Sequence, residues 1–269
     1  MIISDDFVFI VYPKTASAFT REAFDEIHNK PFYIKWFNRI FKAFYYPSKY
    51  QRIRVPKLEV HNRKGQPTEH GLYLQVNEED QKKRVFTICR SPFDRLVSLY
   101  TFKDWLRTDE LLIDPYTKSK YPNYPELSFD QYVDALYKLN PLIQDAKFNL
   151  KEDIGPLTVQ FILFYFKEPL KVLNEKLSDD YIYQNKFIED MPEIFFAKMS
   201  NLEEDVITFL KEIGYLEDQV KFIRAKKQTN KSRPDSKSKD DYYSQETLDF
   251  VNHKERYLLH FCKILNLDL

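Results

Sequence analysis

The fold is decided by Phe7-Val8-Phe9-Ile10-Val11-Tyr12, which runs directly into Pro13-Lys14-Thr15-Ala16-Ser17. Six consecutive apolar residues, β-branched or aromatic, predict a strand buried on both faces, as in a parallel sheet covered by helices. Pro13 stops the run. Phe19, Ala23, Phe24 and Ile27 then recur on one helical face. The unit is strand, tight loop, helix, and it occurs again. Arg84-Val85-Phe86-Thr87-Ile88-Cys89 predicts a second buried strand, and Arg90-Ser91-Pro92 ends it with a proline suited to a first helical turn. Phe93, Leu96, Val97 and Tyr100 follow at helical spacing. Two such units predict an α/β fold, a central parallel β-sheet flanked by helices, in a single domain over residues 1–269.

The rest reads mostly as helix. Ser128-Phe129-Asp130-Gln131 predicts a capping box, and Ser200-Asn201-Leu202-Glu203 predicts another, with Gly214 ending the helix that follows. Residues 244–265 predict one last amphipathic helix, and the Pro- and Tyr-rich residues 114–126 a surface loop. Residues 32–50 interleave aromatics with Lys35, Arg39, Lys42 and Lys49. They read first as a helix on the sheet with snorkelling lysines, then as a lid over an anionic substrate, and last as a membrane-surface helix.

Composition narrows the function. Lys and Arg number 41 and so do Asp and Glu, which excludes a wholly basic nucleic-acid binder and an acidic disordered chain. Only 4 glycines exclude a Gly-rich or collagen-like repeat. Cys89 and Cys262 cannot build a disulfide framework or a four-thiolate zinc site, and both are expected as buried, reduced hydrophobes. The N-terminal segment lacks a basic region before its apolar run, and no apolar stretch reaches the roughly 20 residues of a membrane span. A soluble, cytoplasmic protein is expected.

Two loops carry the chemistry. Between a buried strand and a helix, residues 13–17 offer backbone N–H groups, the positive end of a helix, the Lys14 ammonium and the Thr15 and Ser17 hydroxyls, all suited to a phosphate. The G-x-x-x-x-G-K-[ST] signature of nucleotide kinases is absent. Arg90 stands at the carboxyl end of the second strand, where α/β sheets place ligands, with Ser98 two helical turns on. Two anion sites at two strand ends suit a ligand with two separated phosphates. The one strongly basic run, residues 224–233, reads as a solvated loop, a nucleic-acid tail or a further anion contact.

Val11-Tyr12-Pro13-Lys14-Thr15-Ala16-Ser17 resembles the 5′-phosphosulfate loop of the sulfotransferases. Arg90-Ser91-Pro92 with Arg95, Ser98 and Tyr100 resembles their 3′-phosphate motif, including the step from Arg to Ser. Gly155-Pro156-Leu157-Thr158-Val159-Gln160, Met199-Ser200-Asn201-Leu202-Glu203-Glu204-Asp205, and Asn230-Lys231-Ser232-Arg233-Pro234 before Tyr242-Tyr243 are similar, in order, to later segments of the carbohydrate-type members. Ala18 stands where the family commonly has a hydroxyl.

The resemblance implies a P-loop NTPase-like sulfotransferase fold and 3′-phosphoadenosine 5′-phosphosulfate as sulfuryl donor, without a metal. It implies donor contacts from Lys14, Thr15, Ala16, Ser17, Ala18 and Phe19 at the 5′ end. Arg90 and Ser98 would serve the 3′-phosphate, with Lys231 and Arg233 closing over it. Lys14 would stabilise the leaving group. A base is needed for the acceptor hydroxyl, and His suits neutral pH. In glycosaminoglycan sulfotransferases it falls between the two motifs. There the chain offers His70, with His61 and Glu69 in reserve. The expected partners are a small-molecule donor and a hydroxyl acceptor, a glycan favoured, and no nucleic acid. The alternatives are a P-loop-type nucleotide kinase, which would need Mg²⁺, and a non-catalytic nucleotide- or surface-binding protein.

Overall fold

The structure is a computed structural model that describes residues 1–28, 50–55, 67–103, 119–139, 148, 150, 152–226, 238 and 241–269. Among them are strands β1 (Ile2–Ser4), β2 (Phe7–Phe9), β3 (Tyr50–Arg52), β4 (Arg84–Cys89) and β5 (Ile194–Lys198). They form one sheet in the order β3-β1-β2-β4-β5. The longer helices are α1 (Ser17–His28), α2 (Pro92–Thr101), α3 (Phe129–Leu139), α4 (Pro156–Tyr165), α5 (Leu202–Glu212), α6 (Gln245–Lys254) and α7 (Arg256–Ile264).

The predicted α/β class holds, but the sheet is mixed rather than parallel. β2, β4 and β5 are parallel, whereas β1 is antiparallel to both β2 and β3. The cause is local. Only Asp5 and Asp6 separate β1 from β2, and so short a connection can only reverse the chain. Ser4 closes that turn by accepting the Phe7 N–H at 2.8 Å. β2 keeps only Phe7–Phe9 of its six-residue apolar run, and β1, β3 and β5, three to five residues long, sit in no run of that length.

Alternate residues of the site strands feed two cores. Phe7, Phe9, Phe86 and Ile88 pack with Phe24 of α1 and Phe209 of α5. Val8, Ile10, Val85 and Cys89 face Phe161, Ile162 and Tyr165 of α4 and Phe261 of α7. This is the two-residue period of strands covered on both sides. α4 is buried nearly all round, as its unbroken apolar sequence requires. Cys89 and Cys262 are buried free thiols.

Helix ends agree with the sequence in part. Gln131 N–H donates to Ser128 Oγ at 3.2 Å and Ser128 N–H to Gln131 Oε1 at 2.9 Å, the reciprocal pair of a capping box. At Gly214, φ is 101°, and the Gly214 and Tyr215 N–H groups return to Lys211 O and Leu210 O, closing α5 as expected. The Ser200 box does not form. Ser200 Oγ donates instead to Asp268 Oδ1 at 2.6 Å, and α5 starts at Leu202. The single last helix is two, α6 and α7, broken at Glu255. In the predicted loop at 114–126, Tyr121 is buried and donates to Asp134. Residues 114–118, and residues 32–49 with their aromatic and basic groups, lie outside the described residues. Among the described residues no helix is long and apolar enough to cross a membrane.

Candidate functional site

The parallel strands point their carboxyl ends the same way, and the loop after β2 emerges there. Lys14 has φ 64° and Ala16 φ 53°, both in the left-handed region that disfavours a Cβ. Alternating residues of this kind turn successive N–H groups into one concavity, the geometry of backbone anion nests. The loop thus reaches without glycine the shape for which nucleotide-binding loops use glycine. Each such residue costs on the order of 1 kcal/mol or more, so the surroundings must hold it.

The holding contacts all take carbonyls. Thr15, fully buried, donates its hydroxyl to Tyr12 O at 2.8 Å. Arg95 Nε donates to Pro13 O at 3.2 Å, Arg90 Nη1 to Lys14 O at 3.3 Å, and the Phe19 N–H to Ala16 O at 3.1 Å. Among the described residues the N–H groups of Thr15, Ala16, Ser17 and Ala18 have no protein acceptor. The first turn of α1 carries no acidic residue to oppose an anion.

The two sequence-predicted anion sites meet. Arg90, half-buried at the end of β4, touches the Lys14 carbonyl. Just past the end of α2, the Phe102 ring lies under the Lys14 ammonium, with Nζ 2.9 Å from its centroid. α2 therefore runs beside the loop. Ser98 sits one turn before Phe102, whose N–H it accepts at 3.2 Å, and is buried. Two expected donor contacts are already engaged: the Thr15 hydroxyl proton and the Phe19 N–H both close the turn itself.

Arg95, expected only as a member of the 3′-phosphate motif, anchors the loop after β2 instead. It is 3% exposed. Besides Pro13 O it donates to Tyr12 Oη at 2.6 Å and to Gln160 Oε1, and it stacks on the Tyr12 ring at 4.1 Å. Behind it, Glu255 lies fully buried at the break between α6 and α7. Its carboxylate accepts from the Leu157 and Thr158 N–H groups, the Thr158 hydroxyl and the Tyr137 hydroxyl, at 2.7 to 3.1 Å. It caps α4, whose Gln160 reaches Arg95. Gly155 makes room, because a Cβ there would lie 2.0 Å from Glu255 Oε1. Burial pushes the Glu255 carboxyl above its usual range, against the pull of its donors.

His70 stands at the same strand end. Its Nδ1 is 2.9 Å from Val11 O. A carbonyl only accepts, so in the neutral ring Nδ1 holds the proton and Nε2 the lone pair. Glu69 turns instead to Arg21 of α1 and to Arg54. The other described histidines serve elsewhere. His28 bridges Phe24 O and Tyr215 Oη, and His260 bonds Asn185. His253 lies 3.8 Å from Asp153. His61, Lys231 and Arg233 lie outside the described residues, and Lys226 pairs with Glu26 of α1 at 3.2 Å. Among the described residues no three His, Cys, Asp or Glu side chains converge as metal ligands would.

The arrangement can hold an anion on backbone N–H groups between a lysine and an arginine, and can take up a proton beside it. No family model, no curated protein and no solved structure matches the chain.

Proposed function

We propose that the chain is a sulfotransferase of the P-loop NTPase-like fold, moving the sulfuryl group of 3′-phosphoadenosine 5′-phosphosulfate to a hydroxyl acceptor, with a carbohydrate favoured. The observation that carries this reading is the glycine-free nest at residues 13–17, with Arg90 seated on the Lys14 carbonyl. The nest fits a phosphate, and Arg90 beside it fits a second anionic group of the same ligand.

The donor, when bound, supplies an activated sulfuryl group. Every other role falls to the chain. Backbone N–H groups from Thr15 to Ala18, with the Ser17 hydroxyl, hold the 5′ anion at the positive end of α1. Arg90 and Ser98 serve the 3′-phosphate. Lys14 meets the charge that develops on the leaving oxygen. His70 Nε2 takes the acceptor's proton, with its ring fixed by the Nδ1 bond to Val11. Positioning and electrostatics carry most of such a transfer, as in phosphoryl transfer.

The test is calorimetric titration with 3′-phosphoadenosine 5′-phosphate in EDTA, beside ATP and AMP. Micromolar binding that needs the 3′-phosphate and is lost in Arg90→Ala is expected. Preference for ATP with Mg²⁺ would install the kinase reading instead.

A further inference from the structure

The Arg95 guanidinium is buried among neutral partners. Among the described residues its hydrogen bonds and ring contact are to the Pro13 carbonyl, the Tyr12 hydroxyl and ring, and the Gln160 amide oxygen. Among the described residues no carboxylate pairs with it. Glu255, the fully buried carboxylate behind it, is held by four donors of α3 and α4. Burying a charge without a counter-ion is costly, and a carboxylate at position 160 is one substitution away. Gln160 is half-buried and already within hydrogen-bond reach, so a glutamate there would neutralise Arg95 at little steric change. The sequence holds the neutral amide.

We propose that Arg95 is a positioning residue whose unneutralised charge, fixed behind the 13–17 loop by Gln160, helps the loop bind an anion that Arg95 does not touch. A cation behind a row of inward N–H groups adds to their field, and burial shields it from salt. Its fork meanwhile holds the Tyr12 hydroxyl and the Pro13 carbonyl, so one side chain sets both the shape and the potential of the loop. The proposal rests on the reading of residues 13–17 as an anion site.

The experiment separates charge from shape. Gln160→Glu keeps the acceptor and cancels the charge. Binding of 3′-phosphoadenosine 5′-phosphate and of pyrophosphate is measured by calorimetry on the full chain, with the melting temperature beside it. Roughly tenfold weaker binding of both probes is expected, the order for one unit charge several ångströms away in a protein dielectric, at a melting temperature equal to or above wild type. Unchanged binding in a folded Gln160→Glu variant overturns the inference and leaves the sulfotransferase reading standing. A wild type that binds neither probe overturns both.

A second pair decides the matter should Gln160→Glu not fold. Arg95→Lys keeps the charge and loses the fork, and Arg95→Met loses both. The lysine variant is expected to retain most of the pyrophosphate affinity at a lowered melting temperature, while the methionine variant loses it. Equal losses in the two would show that shape alone matters.

Discussion

Ala16 and Lys14 hold a left-handed backbone that most chains give to glycine, and that choice can be tested one atom at a time. At Ala16 the Cβ is the source of strain. Ala16→Gly removes about 1–2 kcal/mol of strain and adds back about 0.4–1 kcal/mol of unfolded-chain entropy, so a net gain of about 0.5–1 kcal/mol is expected in thermal unfolding. Ala16→Val adds a branched Cβ to the same φ and is expected to cost about 1–3 kcal/mol and to abolish nucleotide binding. An Ala16→Val variant of wild-type stability would mean that the loop is not held in this conformation. His70→Ala should lower the rate by a factor on the order of 10² to 10⁴ while leaving donor-product binding unchanged. Parallel losses of rate and binding would instead give His70 a merely structural part. At this scale the sequence shows the residues that end strands, Lys14 and Arg90, because an apolar run marks where each strand stops. It marks Thr15 and Arg95 as motif residues but hides what they bond, the Tyr12 and Pro13 carbonyls. Their roles depend on which carbonyl a turn presents, and residue order does not carry that.

Among the elements, α4 depends most on a residue distant in sequence. Its N-terminus is capped by Glu255, from the break between α6 and α7. The unbroken apolar pattern across residues 244–265 predicts one helix, and the break is invisible there because the carboxylate's four donors lie on other segments. Glu255→Gln exchanges one carboxylate oxygen for an amide that faces donors, and a loss of about 1–3 kcal/mol is expected in urea unfolding. The pH dependence has a definite sign. Burial raises the native carboxyl above its ordinary value of 4.5, so the folded chain keeps this proton to higher pH than the unfolded chain does. The stability tied to that proton is complete below about 4.5 and fades as pH rises through the native value. Wild type should therefore lose stability over this window relative to Glu255→Gln, and the difference between the two should level off above it. A wild-type advantage that instead widens as pH rises through the window would reverse the assigned direction. On the opposite surface, Arg224 holds Glu217 down to about 2. In a carboxyl NMR titration, Glu217 is expected to move back toward 4.5 in Arg224→Ala.

For the whole molecule, the sequence carries the two strands that end in the site loops, and not β1 or the edge strands β3 and β5. β2 and β4 show as apolar runs because both faces are covered, by the α1–α5 core on one side and the α4–α7 core on the other. β1, β3 and β5 do not show, because β1 and β3 are three residues each and the four apolar residues of β5, Ile194 to Ala197, are too few to tell strand from helix. The difference that hid the edges should govern how the protein opens. Val85 to Cys89 of β4 are buried and pair with β5, Val85 and Phe86 pair with β2 as well, and the Phe86 ring meets Phe9 at 5.3 Å, Phe24 at 5.6 Å and Phe209 at 4.7 Å. Among the described residues, Tyr50 to Arg52 of β3 pair with β1 alone and stand half-buried to exposed. Opening free energies rise from edges and loops to the global value in the core, so amide exchange should follow that order. The amides of β4, with Val8 to Ile10, are expected to exchange only through global unfolding, with free energies that match denaturant melts. Those of β3 should exchange through local opening at a small fraction of that value. Donor product at a hundredfold excess over its dissociation constant should raise the β4 value by about 2.7 kcal/mol, since ligand stabilises only the folded state. It should leave β3 unmoved, because β3 can open without releasing the loop after β2. Protection that rises equally in both strands would show that the sheet opens as one unit and that the antiparallel edge is part of what holds the anion loop in shape.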